Sequence, residues 1–305
     1  MLHWSLAFIA ESYRTLLQPI AALEVATGAR VSTLDIAGAL RLALVMRQLK
    51  EMGHASARAK GKTTEAHSFV KDLAVLMVVV YGGEAFMAPW LGLPPSFLTG
   101  ATVPALFTAA HAAVHFVPQV PPLTLELELP LALLDGLTRP LLVADFVPNA
   151  ILASAHSNVT QSPFGLCLGS LLLANGGFFF VNLFSMLSPH GFSLATPAEL
   201  QTYGWTTLDL WAAPISTAFF ALFAQPSSQP FWAQVYPFLA QFLGPLDGIL
   251  RPNGVPDREM IRAACALSLS IAFSLRAWRN FYPEYSQRVH GQTKKAIALE
   301  EKSAL

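Results

Sequence analysis

Between Asp72 and Leu250 the chain carries one basic residue, Arg139. A soluble fold of that extent would lack the cations that help solvate its surface. The bases lie in the flanks instead. Arg47, Lys50, Arg58, Lys60, Lys62 and Lys71 precede the stretch; Arg276, Arg279, Arg288, Lys294, Lys295 and Lys302 follow the last apolar run. Charged residues make up 12% of the chain and hydrophobic residues 53%, where a soluble domain holds about 25% charged. Formal net charge is zero. This excludes a disordered chain, a basic nucleic-acid binder and most soluble enzymes. An all-α, polytopic membrane protein is expected.

A spanning helix needs about 20 mostly apolar residues. Five segments qualify, near 73–91, 97–117, 129–153, 164–187 and 260–278. A sixth, 205–225, qualifies despite Asp209 and Pro214. The segment 34–49 is weaker because it holds Asp35, Arg41 and Arg47. Excess Lys and Arg mark cytoplasmic loops, so both basic clusters are expected in the cytoplasm with an even number of spans between them. Segment 230–250, interrupted by Pro237 and Gly244-Pro245, would break that parity. It is expected to be interfacial or re-entrant within a lumenal loop over 226–257. Seven spans follow, with a lumenal N-terminus and a cytoplasmic C-terminus. The sequon Asn158-Val159-Thr160 then falls on the lumenal side. Residues 1–33 read as an amphipathic interfacial segment with Trp4 and Phe8 on its apolar side. Residues 280–305 read as a basic cytoplasmic tail.

Two glycine pairs, Gly82-Gly83 in "VVVYGGEAF" and Gly176-Gly177 in "LLANGGFFF", fall mid-membrane in the second and fifth spans. The segments "LDIAGALRLALV" and "LDGLTRPLLV" also correspond loosely. Residues 34–117 and 129–225 thus read as two three-helix repeats, which must be inverted relative to each other. The pairs have two readings: kinks that free carbonyls toward a path, or close helix packing. Residues 258–279 form the seventh helix.

Charges at membrane depth are costly and usually face a cavity or a partner. The candidates are Asp35, Arg41, Glu84, Asp135, Arg139, Asp145 and Asp209. Asp135 and Arg139 are four apart on one helix face. They either neutralise each other or line a polar path. Glu84, directly after a glycine pair, is a candidate for attracting cations. His111 and His115 share a face but lack a third ligand; packing or pore lining is the expected role. Cys167 and Cys265 sit in apolar runs as packing residues. Hydrolase, nucleotide-binding and zinc-protease motifs are absent, so no enzymatic activity or cofactor is expected.

These residues resemble the trimeric intracellular cation (TRIC) channel family over roughly 34–278. The resemblance lies in "YGGEAF", "NGGFFF", the basic loop leading into the second span, and the short link "APWLGLPPSFLTGA". It implies a homotrimer in the endoplasmic reticulum or another intracellular membrane, with a potassium-permeable pore in each protomer. The current would balance calcium release. In the family a Lys-Glu-x-x-Arg sequence on the fourth span binds a phosphoinositide. Here "LPLALLDGLTRPLL" supplies Arg139 as the Arg, while Leu134 or Asp135 stands where the Lys would be. The pore and kink residues implied are Gly82, Gly83, Glu84, Gly176 and Gly177. Arg41, Asp135 and Arg139 are the lipid or gating candidates. Membrane lipids are the other expected partner, and nucleic acid is not. A secondary transporter with inverted repeats and a non-transporting lipid-binding scaffold are the alternatives.

Overall fold

The structure, a computed structural model, describes residues 2–201 and 207–303, with side chains described no further than residue 288. Every regular element among the described residues is helical, apart from an isolated bridge between Pro19 and Ser32.

Helices α1 (Leu2–Leu16) and α2 (Ala21–Thr27) lead into α3 (Thr33–Ala59). Ser32 starts α3 with a capping box. Its hydroxyl accepts from the Asp35 N–H, and the Asp35 carboxylate accepts from the Ser32 N–H at 2.8 Å. Asp35 is therefore a helix-start residue, which satisfies orphan donors and favours the positive helix end. Helix α4 (Phe69–Leu91) starts on Ser68 and ends at Gly92, whose φ of 66° is the left-handed stop that glycine adopts freely. Then follow α5 (Ser96–Thr99), α6 (Thr102–His115) and α7 (Leu125–Pro140). A π-helical turn, Leu141–Phe146, joins α7 to α8 (Val147–Leu152). The remainder is α9 (Ser157–Thr160), α10 (Pro163–Leu183), α11 (Ala198–Gln201), α12 (Leu208–Ala224), α13 (Pro230–Leu250) and α14 (Arg258–Ser303).

Three helices are long and apolar enough to cross a membrane: Phe69–Leu91, Pro163–Leu183 and Arg258–Arg288. Helix α12 is apolar but shorter, and the expected sixth span begins outside the described residues. The expected first, third and fourth spans also form helices, α3, α6 and α7–α8. They are charged along their length or, for α6, only 14 residues long. The chain is thus a helical protein with the apolar helices of a membrane protein.

Helix α13 carries Pro237 and Gly244-Pro245 inside it and is bent between Tyr236 and Asp247, whose side chains bond to each other although a straight helix would separate them by about 16 Å. Each proline removes only one backbone donor. Trp232 Nε1 donates to Gln229 at 2.6 Å at its start, and across the bend the Arg251 guanidinium lies 4.4 Å from the Tyr236 ring. In α1 the buried face is Leu6, Ala10 and Tyr13, while Trp4 and Phe8 point outward.

Helix α14 lies along α7, α10 packs against both α4 and α12, and α3 packs against α6. The α7–α14 crossing is close because residue 136 is glycine; a Cβ there would strike the backbone of Ser270. The π turn follows Pro140, which lacks an N–H. Nearby carbonyls find hydroxyl donors from other helices. The Tyr13 hydroxyl donates to Leu137 O at 2.5 Å, and the Thr217 hydroxyl donates to Val143 O at 2.7 Å. The π-helical turn that follows Arg139 and Pro140 is therefore held by α1 and α12.

The connectors gather at two ends. At one end Glu65 N–H bonds Pro189 O at 2.9 Å, Gln48 donates to Pro121 O, and Arg288 pairs with Glu126. At the other, Ala155 N–H bonds Leu91 O at 3.0 Å, Gln229 donates to Thr160 O, and Arg14 pairs with Glu259. The residues flanking α4 thus divide between the ends, Glu65 at one and Leu91 at the other.

Candidate functional site

The two glycine pairs meet each other. Helices α4 and α10 run antiparallel and unbroken through them, so neither pair is a helix break. A Cβ on Gly82 would lie 3.0 Å from Gly177 Cα, and one on Gly176 would lie 2.8 Å from Gly83 Cα. A Cβ on Gly83 would lie 2.5 Å from the carbonyl oxygens of Leu172 and Leu173. One on Gly177 would strike those of Val78 and Val79. Only hydrogen fits at these positions, which is why the backbones approach so closely.

The contact has an internal correspondence. Gly82 and Gly83 pair with Gly177 and Gly176 in reverse order, and the carbonyls met are likewise equivalent. The same spacing of 94 positions that separates Arg41 from its partner Asp135 also separates Gly82 from Gly176 and the helix-capping Ser68 from Ser162. The caps match in detail: Ser68 accepts from Lys71 N–H and Ser162 from Gly165 N–H. The rings of Phe86 and Phe180, again at this spacing, lie 6.0 Å apart.

Beside this contact the acidic and basic groups form three interhelical clusters. In the first, Arg41 Nη2 donates to Glu128 Oε2 at 3.0 Å and Nε donates to Asp135 Oδ2 at 3.3 Å. The Arg41 and Glu128 side chains are only 8% and 10% exposed. In the second, Arg276 and Arg139 flank Asp209, with Arg139 at 3.7 Å, and both guanidinium groups lie over the Phe273 ring. In the third, Arg262 pairs with Asp145 at 2.8 Å and covers Tyr13. Asp135 and Arg139 therefore do not neutralise each other along α7; each is paired with a different helix. Glu84 accepts from both the N–H and the hydroxyl of Ser96, at 2.6 and 2.7 Å. It fixes the start of α5 and does not face the glycine contact with a free carboxylate.

A cavity of about 360 Å³ opens among α3, α4 and α6 at the end that holds the α3–α4 connector. Met46, Val75 and Leu187 form part of its apolar wall. Lys50 and Asp72 pair at its polar side, where His67, His111 and His115 converge. Arg47 closes the end of α6 by donating to the carbonyls of Val114, His115 and Val117. A second cavity of about 640 Å³ adjoins it and shares Arg47, His67 and Pro118. Sequence reasoning singled out His111 and His115 here but took Arg47 and Lys50 only as topological charges. Lys50 lies well inside α3 and Asp72 in the first turn of α4, so spacing along the chain carried no signal for their pairing.

Among the described residues no group of three or more His, Cys, Asp or Glu is placed to hold a metal ion. Lys294, Lys295 and Lys302 of the basic tail lie outside the described side chains. The chain matches no family model, no curated protein and no solved structure.

Proposed function

We infer that the protein is a passive monovalent-cation channel of an intracellular membrane, permeable to potassium and assembled as a homotrimer with a path in each protomer. The observation that carries this reading is the repeated relation between α4 and α10. They share a cap, a glycine contact and a spacing, and they run in opposite directions. That is the signature of an inverted repeat, an architecture common in transport proteins. Seven spans and a cytoplasmic basic end belong to the same reading. The interhelical ion pairs add support, because charges kept at membrane depth commonly mark ion pathways. Arg139, at 3.7 Å from Asp209, is the loosest of these pairs and the candidate for an anionic lipid headgroup.

A saturable carrier of the same repeat type is the second reading. It is favoured by the tight α4–α10 contact and by the ion pairs that engage Arg41, Asp135, Arg139, Asp145 and Asp209, both suited to a closed state. Purified protein in planar bilayers distinguishes the two. The channel reading expects unitary potassium currents; the absence of current at all voltages, with saturable tracer uptake in vesicles, would overturn it.

A further inference from the structure

The connector from α3 to α4 is fastened by two imidazoles. His67 stacks on His54, with ring centroids 5.0 Å apart and 24° between planes. His54 is 2% exposed, and its Nε2 has no hydrogen-bond partner. It lies beyond the expected first span, near the end of α3. His67 lines both cavities and so stands in their common wall. The rest of the fastening is an ion pair from Lys71 to Glu65, the Glu65 N–H bond to Pro189 O, and Lys71 lying 4.8 Å over the Phe192 ring.

We propose that the His54–His67 stack is a proton-operated latch: neutral, it holds the 60–68 connector against α3 as the wall between the two cavities; protonated, it releases the connector and joins them. The charges around the stack make protonation unfavourable in place. His54 faces Lys50 and Arg58 of α3, His67 of the connector and Asp72 of α4. It also acts on Glu65 beside Lys71. His67 faces Lys50, Arg47 and Glu51 of α3 and Asp72 of α4, and shares its cavity walls with Arg58 and with His111 and His115 of α6. The carboxylates are already engaged: Asp72 by Lys50, Glu51 by Arg47 and Glu65 by Lys71. A new positive charge on either ring therefore meets another ring and Lys50 with no free acid to receive it.

Burial, then His67, Lys50 and Arg58, hold the His54 imidazole below its ordinary value of 6.5. His67 is exposed, and partial desolvation of its ring and then Lys50 lower it in the same direction, against the opposing pull of Asp72 and Glu51. A released imidazole titrates at its ordinary value. The fastening is thus complete above pH 6.5 and is lost as pH falls through the two depressed values.

Hydrogen exchange of the full chain in nanodiscs tests this, corrected for intrinsic rates, at about pH 7.5 and about pH 5. The Glu65 amide, which the connector holds on Pro189 O, should exchange on the order of tenfold faster at the lower pH. His67→Phe keeps a ring but no titrating proton, and should remain protected at both values. His54→Gln removes the stack and should exchange fast at both. A wild type without the pH step, or a His67→Phe variant that retains it, would overturn the latch. Exchange needs no ion current, so a failed conduction experiment leaves this result separate.

Discussion

At the scale of single residues, Arg41 is the position with most at stake. Its guanidinium reaches two carboxylates on α7, and both it and Glu128 are nearly excluded from the surface. Removing one member of such a pair leaves a buried charge uncompensated, at a cost of about 3–5 kcal/mol. Replacing both members by apolar residues removes the charge as well as the partner. Arg41→Leu is therefore expected to lower the unfolding temperature in detergent sharply, and Arg41→Leu with Glu128→Leu to regain most of the loss. A double variant as unstable as the single one would show that the pair does not account for the cost. The sequence marked Arg41 as a charge that needed a partner. For Asp135 and Arg139, four apart on one helix, it left open a mutual pair or a polar face lining a path. The partners are on neighbouring helices because a side chain on α7 reaches α3 or α12 as readily as its own next turn. Periodicity assigns a residue to a face, but not which helix that face meets.

At the scale of elements, the glycine pairs were legible as matched features, while the serines that begin α4 and α10 at the same spacing were not singled out. The mutual contact of the glycine pairs was not legible, since a small residue is equally suited to a kink and to a close crossing. Packing decides between the two: the carbonyls around Gly83 and Gly177 leave space for hydrogen alone. Gly83→Ala is expected to cost about 1–3 kcal/mol, as added core atoms generally do. Gly244→Ala is the control. It lies in α13 with nothing within 4 Å of a new Cβ, so it should be neutral or stabilise by about 0.5–1 kcal/mol. Equal effects from the two substitutions in thermal unfolding would argue against a packed crossing. The bend in α13 was legible, since Pro237 and Gly244-Pro245 mark it in the sequence. The contacts across that bend, from Tyr236 to Asp247 and Arg251, were not, because they join residues eleven and fifteen positions apart.

At the scale of the whole molecule, the uneven placement of basic residues anticipated two distinct ends. The bonds between connectors divide the same way, with the α3–α4 connector tied to Pro189 and the α4 terminus tied to Ala155. Lys62→Cys and Ser157→Cys, both at exposed positions, should therefore react with an impermeant maleimide from opposite sides of sealed vesicles. Labelling of both from one side would defeat the spanning arrangement. Motion is constrained as well. Where two backbones touch through glycine, sliding or separation would open a void that no side chain could fill, so α4 and α10 are expected to travel together as an axle. Conformational freedom is left to the helices around them: α3 and α6, which bound the histidine-lined cavity, and α12, which α10 touches on another face. Any gate in this protein would then turn about its most ordinary residues, and the moving parts would be the charged ones.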